Sequence, residues 1–403
     1  MQEYERYIYR APFVVPGQGE VLADGAVITE HGRVLAVGPY AELKDTVADA
    51  EPVDYEGHVI VPALVNAHAH LELSHLARLG RQARPRPADL PGWIRELLAE
   101  RDLRGSFDPD EARFALARLY AGGCRAVLDI GNDPDAREIG DGFKSTVLFH
   151  LEMLGLSEAA QEAALVRLAE LPDELCCTGH APYSTGPRLL TALKERARRL
   201  GCLFPLHLAE SAAEIEFLAT GHGPFRDFLA ERGVDPAGVA IPGASPVKYL
   251  DRLGLLDEKT ICVHAVQVDE ADIALLVARR AGVCLCPGSN RHLGVGRAPL
   301  PAFLTQGILP ALGTDSLASN PELSLWREMA ILRQDHPGVG PEVIFAMATR
   351  AGADLLGLGH ELGRIAPGVS ASLPAVVCAA TSVAEVLEYL TTAGQEIRLE
   401  WIE

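Results

Sequence analysis

Eight apolar runs, separated by helix-forming stretches, occupy the chain from residue 61 onward and limit what it can fold into. They fall at 63–70, 124–130, 145–151, 175–180, 202–208, 259–265, 282–287 and 307–315. Strands buried on both faces read as near-continuous apolar runs, as in a parallel sheet covered by helices. The stretch after Phe107 shows a helix start, with Asp108 as cap, Pro109 in the first turn and Glu111 as the capping-box acid. Eight such βα repeats over about 300 residues predict an α/β fold, a (β/α)8 TIM barrel over 61–359. The first sixty residues read instead as short strands and turns, and turn and strand signals return near the C-terminus, which closes on IRLEWIE. Residues 1–60 plus 360–403 are therefore expected to form one small β-sandwich-like domain.

With 403 residues, 48% of them hydrophobic, the chain has ample material for a core of this size. A formal charge of −19 argues against nucleic acid and anionic membranes as partners, since both need clustered Lys and Arg. No run approaches the ~18 apolar residues of a membrane span, and the first ten residues carry charges where a signal peptide would be apolar. Seven of the eight cysteines (Cys124, Cys176, Cys177, Cys202, Cys262, Cys284 and Cys286) lie mostly in strand-like runs without a CxxC pair. They are expected to be buried free thiols, which suits a reducing, cytoplasmic setting. The partner expected is a small-molecule substrate, with no nucleic acid and no membrane; a homodimer is left open.

The chemistry is concentrated where the apolar runs end. His68 and His70 flank Ala69 at the end of the first run, and alternate residues of a strand face the same side. His207 ends run five, His264 run six and Asp315 run eight. In a barrel, the C-terminal ends of different strands share one rim, so these groups converge. His68, His70, His207 and Asp315 make a three-nitrogen, one-carboxylate shell for one divalent metal ion, zinc first, with iron and manganese also compatible. Such an ion lowers the pKa of water toward neutrality. His264 then serves as an assisting base, Asp315 can accept a proton, and Glu210 is placed for general acid–base work. No Lys ends run four, which favours one metal over two, with Glu152 the main reservation. Glu214 and Glu216 read as solvated helical charges. His180 is expected at the same rim. His31, His58, His222, His336 and His360 are expected at the surface, while His75, His150 and His292 are weighted toward structural roles. Arg78, Arg81, Arg84, Arg86 and Trp93, in the loop at 71–107, are read as surface decoration that could also meet substrate.

As a set, VPALVNAHAH, LHLAES, CVHA, CPGSN, GTDSLASN and LGRIAPG resemble the amidohydrolase superfamily, in its one-metal deaminase branch. Within that branch NAHAHLELS, GHAPYS, CPGSNRHL and GTDSLASNPELSLWREM are most similar to the aminodeoxyfutalosine deaminases. The resemblance implies a hydrolytic aminohydrolase of an adenine nucleoside, 6-amino-6-deoxyfutalosine, on a route to menaquinone. Alternatives are S-adenosylhomocysteine or methylthioadenosine, a guanine-type base, or triazine dechlorination. It implies the same four metal ligands, Glu210 as proton shuttle with His264 assisting, and Glu72, His180 and Asn290 as substrate contacts. The chain departs from the pattern at Ala63, at Gly288 and in SASLPA, which lacks the usual Ala-Asp. The change at Gly288 implies altered substrate contacts there.

Overall fold

The computed structural model describes residues 6–47, 51–83, 90–235 and 238–402. Five strands open the chain: β1 (Arg6–Val14), β2 (Leu22–Glu30), β3 (Arg33–Pro39), β4 (Glu51–Asp54) and β5 (His58–Ile60). Eight follow with helices between them: β6 (Leu64–Ala69), β7 (Cys124–Gly131), β8 (Thr146–Met153), β9 (Cys177–Gly179), β10 (Phe204–Leu208), β11 (Thr260–His264), β12 (Gly282–Leu285) and β13 (Ala311–Leu312). Two more, β14 (Leu373–Val377) and β15 (Leu399–Ile402), close the chain. Each of the eight apolar runs thus coincides with one strand of the parallel set, β7 and β8 extending one and two residues past theirs.

The parallel strands form two hydrogen-bonded halves, β6-β7-β8-β9 and β10-β11-β12-β13. The halves meet at both seams. Between β6 and β13, Ala69 bridges Asp315, and the Thr314 N–H donates to the His68 carbonyl at 3.0 Å. Between β9 and β10, the His207 N–H donates to the His180 carbonyl at 2.9 Å, and the Thr178 hydroxyl donates to the Pro205 carbonyl. Phe204 directs its N–H toward β11, so by strand alternation the next residue would donate toward β9. That residue is Pro205, which has no N–H to give, and the ladder is interrupted there.

The same seam corrects the cysteine expectation. Cys176 and Cys202 form a disulfide with Cα atoms 6.1 Å apart. Each lies just upstream of one of two adjacent parallel strands, a neighbourhood that their separation of 26 residues conceals. Cys124, Cys177, Cys262, Cys284 and Cys286 are buried and free, as expected. With two of the thiols bonded, cysteine usage no longer argues for a reducing compartment. No helix of the described residues is long and apolar enough to cross a membrane.

The helix at Pro109–Ala121 begins as its sequence requires: the Asp108 carboxylate accepts from the backbone N–H groups of Asp110 and Glu111, at 3.0 and 3.2 Å. It buries Ala112, Ala115, Leu116 and Leu119 on the barrel. The helix at Pro187–Leu200 is fixed by Lys194, whose buried Nζ donates to Asp257 at 2.6 Å and to the Thr260 hydroxyl at 2.7 Å. The remaining strands form a single sheet in the order β15-β14-β5-β1-β2-β3, with β4 on β1. Both ends of the chain therefore contribute to one sheet. Apolar side chains cover both faces of it, Tyr9 and Ala11 in one cluster and Ile8 in another.

Candidate metal centre

His68 and His70 leave β6 on the same side, with ring centroids 4.8 Å apart. His207 comes from β10, and its Nε2 lies 3.2 Å from that of His70. Asp315 follows β13, with Oδ1 3.7 Å from Nε2 of both His68 and His70. One donor atom from each of the four residues lies within 4.8 Å of all the others. Burial pushes the His68 imidazole down to about 4 and that of His70 to about 3, so both are neutral near pH 7.

These four residues fit a divalent cation. The His207 Nδ1 donates to the His180 carbonyl at 3.0 Å, which leaves its Nε2 with a lone pair. Both ring nitrogens of His68 are buried without a hydrogen-bond partner. Leaving a buried polar group unpaired costs about 1–3 kcal/mol, and a cation at the convergence point would remove that cost for Nε2, the nitrogen that faces Asp315. Three neutral imidazoles with one carboxylate are a donor set of the kind zinc, iron or manganese takes.

The backbone bends sharply to bring these groups together. Ala209, His264, Ala265 and Asp315 all have φ between +45° and +71°, a left-handed conformation that residues other than glycine seldom adopt. Gly313 permits the seam itself, since a Cβ there would lie 2.8 Å from the His68 Cβ and 2.9 Å from the Cys284 Sγ. Asn66 clamps the same joint, donating to the Thr314 hydroxyl at 2.8 Å and accepting from the Thr314 N–H at 3.1 Å. The Ser289 and Ser319 hydroxyls donate to Asp315 Oδ2, at 2.5 and 2.9 Å, which leaves Oδ1 to face the histidines.

Beside the four lie the two proton-handling candidates. His264 donates through Nδ1 to Asn290 Oδ1 at 2.9 Å, so its Nε2 is the acceptor. That Nε2 is 3.7 Å from Glu210 Oε1 and 4.0 Å from Asp315 Oδ2. Burial raises the Glu210 carboxyl to about 7, where it can hold a proton near neutrality. Glu214 corrects its sequence reading as a solvated charge. It is fully buried, and its carboxylate accepts from the N–H groups of Ala209 and Glu210 at 3.0 and 2.8 Å. It thereby holds the kinked backbone that presents Glu210. Glu216 is exposed, as expected.

A cleft of about 130 Å³ opens from this centre, lined by His70, His180, His207, Glu210, His264 and Asp315 at its polar end. Much of the remaining lining is apolar, from Leu73 and from Leu90, Trp93, Ile94 and Leu97 of the helix Leu90–Arg104. A larger cavity, about 360 Å³, lies between the helix Pro109–Ala121 and residues 317–326, but its lining offers no such convergence of histidines and carboxylates.

Two expected substrate contacts are elsewhere. Asn290 is outside the cleft lining and orients His264. Glu72 is buried, and its Oε2 accepts from the N–H groups of Asn132 and Asp133, at 2.7 and 3.1 Å; it shapes the loop after β7. His180 does line the cleft, its Nδ1 2.7 Å from the Ser184 hydroxyl. His150 is structural, with Nε2 3.1 Å from the Leu203 carbonyl. Trp93 reaches the cleft, Arg78 pairs with Glu100, Arg81 is exposed, and Arg84 and Arg86 lie outside the described residues. Sequence reasoning missed Arg101, Asn132 and Tyr183, which also line the cleft. Arg101 has no local mark; Asn132, just past β7, and Tyr183, within GHAPYS, stood at strand ends as Glu152 does at the end of β8, and that position was the signal that could have found them.

Residues 59–392 match the model of the amidohydrolase family. The chain belongs to the amidohydrolase family. Among curated relatives of this amidohydrolase, it is 32% identical over 360 residues to an aminodeoxyfutalosine deaminase of Deinococcus radiodurans, covering 85% of this chain and 83% of that one. It is 30% identical over 411 residues to a 5-methylthioadenosine/S-adenosylhomocysteine deaminase of Nitratidesulfovibrio vulgaris, covering 95% and 86%. Among solved structures, the aminofutalosine deaminase of Helicobacter pylori in complex with methylthio-coformycin superposes with a TM-score of 0.84 at 21% identity, over 98% and 97% of the two chains. A zinc-bound adenosine deaminase of Xanthomonas campestris gives 0.77 at 25%, over 96% and 88%.

The departure at Gly288 has a local explanation in this amidohydrolase. A Cβ there would lie 2.4 Å from Glu328 Oε1 and 2.7 Å from Asn320 Nδ2. The Glu328 carboxylate occupies that space, accepting from the Gly288 N–H at 2.6 Å and from Asn320 at 2.8 Å, and so ties the CPGSN turn to the Asp315 loop. Gly288 therefore makes room for a scaffold contact and does not reach the cleft lining.

Proposed function

We propose that this amidohydrolase removes the exocyclic amine of an adenine nucleoside by hydrolysis, with aminodeoxyfutalosine as the first substrate to test. The observation that carries the reading is the Glu210 carboxyl, raised to about 7 and 3.7 Å from His264 Nε2, beside the four-residue metal centre. Deaminating an aromatic amine requires a proton on the ring nitrogen and another on the departing amine; a carboxyl that holds a proton near neutrality can give the first and, once reloaded with a proton from the attacking water, relay the second. The names of the two curated relatives support the same class of substrate.

His68, His70, His207 and Asp315 would hold the cation, zinc being the first candidate, which when bound would supply Lewis acidity and lower the pKa of water. His264, whose Nε2 lies 4.0 Å from the Asp315 carboxylate, and Asp315 would take the proton of the attacking water. Glu210 protonates the ring nitrogen next to the amine-bearing carbon. As the carbon–nitrogen bond breaks, a proton passes to the leaving group, so that nucleoside and water become the 6-oxo nucleoside and ammonia. The apolar wall at Trp93 excludes bulk water, which strengthens these contacts.

The test is ammonia release by metal-loaded protein from aminodeoxyfutalosine, S-adenosylhomocysteine, methylthioadenosine, adenosine and guanine side by side. A preference for the first supports the whole reading and places the reaction on the route to menaquinone. Preference for another adenine nucleoside keeps the chemistry and moves the specificity. No release from any of them, with metal shown to be bound, sinks the deaminase reading.

A further inference from the structure

Arg101 is the only formally cationic side chain among the described residues that line the cleft. The other charges there are carboxylates, those of Glu152, Glu210 and Asp315. Nearby guanidinium groups are committed elsewhere: Arg78 and Arg104 both pair with Glu100, and Arg95 pairs with Glu231. Arg101 is half-buried and makes one side-chain hydrogen bond, from Nη1 to Asn132 Oδ1 at 3.2 Å, with no ion pair among the described residues. Asn132 is itself fixed, since its Nδ2 donates to Glu152 Oε2 at 3.0 Å and its backbone N–H to Glu72. The guanidinium is thus held at the cleft wall, close enough to Glu72 to act on its carboxyl, with one of its five donors engaged by Asn132.

We infer that Arg101 binds a carboxylate carried by the 5′ extension of the substrate. The inference rests on the adenine-nucleoside reading given above. A planar guanidinium with free, roughly parallel N–H groups matches a carboxylate with two hydrogen bonds. A cleft otherwise lined by carboxylates repels an anion unless a cation is supplied, and Arg101 supplies it. Leu90, Trp93 and Leu97 stand on the same helix as Arg101 and line the cleft with it and with Leu73, which suits an apolar or aromatic group beside the carboxylate.

The test compares aminodeoxyfutalosine, which carries a benzoate, with its methyl ester and with methylthioadenosine, on the wild type and on Arg101→Gln and Arg101→Lys. Gln keeps a donor for Asn132 Oδ1 while removing the charge, so it isolates recognition from packing. The wild type is expected to prefer the acid to its ester. Arg101→Gln should lose about 30-fold in kcat/KM for the acid, mostly through KM, while ester and methylthioadenosine change less than about twofold. Arg101→Lys should recover part of the loss. Equal effects of Arg101→Gln on acid and ester, or a wild type indifferent to the ester, overturn the assignment. Calorimetric binding of the deaminated acid and its ester is measured in parallel. If no nucleoside is deaminated, the deaminase reading fails, and Arg101 is judged on binding alone. A loss of about 30-fold confined to the acid sustains it, and equal affinities overturn it.

Discussion

Glu210 shows how much of a side chain's chemistry depends on its surroundings. An exposed glutamate is ionised at neutral pH; here burial raises the carboxyl to about 7, and Glu214 grips the backbone N–H groups on which it is mounted. Replacing Glu210 by Gln keeps the shape and removes the titrating proton. Glu210→Gln should bind metal at wild-type stoichiometry, measured by atomic emission, and lose about 10²- to 10⁴-fold in turnover. Full activity in that variant would remove Glu210 from the mechanism. The position three residues beyond His207 was enough to nominate Glu210 from sequence. The role of Glu214 was not legible, because an acid in the first turn of a helix is ordinarily solvated.

At the scale of elements, the helix Leu90–Arg104 builds the outer wall of the cleft and is anchored by Glu100. That carboxylate, almost wholly buried, bonds to both Arg78 and Arg104 and is held down to about 2 from its ordinary 4.5, chiefly by the bond to Arg78. A depressed folded-state value means that ionised Glu100 stabilises the fold above pH 4.5 and that this contribution fades as pH falls toward 2. Glu100→Gln should therefore lower the thermal midpoint at pH 7, and the gap from wild type should narrow steadily below pH 4.5. A pH-independent gap, followed by circular dichroism, would show that packing alone carries the effect. The helix was hidden in a segment read only as an Arg- and Pro-rich loop, since its buried face is set by the rim it lies on.

For the molecule as a whole, the barrel is closed by two seams of different character. Gly313 and Asn66 join β6 to β13 closely, whereas Pro205 interrupts the ladder between β9 and β10. The Cys176–Cys202 disulfide spans that second seam at the end opposite the metal centre. Closing a loop of this length stabilises a fold by about 3 kcal/mol. Reduction should lower the urea midpoint accordingly while leaving metal content and turnover near wild type, because the ligands are fixed by the other rim. An unchanged midpoint after verified reduction would show that the disulfide carries no net stability.

The eight parallel strands and the four residues of the candidate metal centre were legible in the sequence alone, for one physical reason. A strand buried on both faces must be apolar throughout, so a histidine or aspartate at its end stands out and shares a rim with the others. The tertiary structure alone decided what meets across strands and loops. It paired Cys176 with Cys202, turned Glu72 and Asn290 to supporting positions, buried Glu214 and brought Arg101 to the cleft. Those outcomes depend on distances between residues far apart or unremarkable in the chain, and side-chain chemistry at a single position does not encode them.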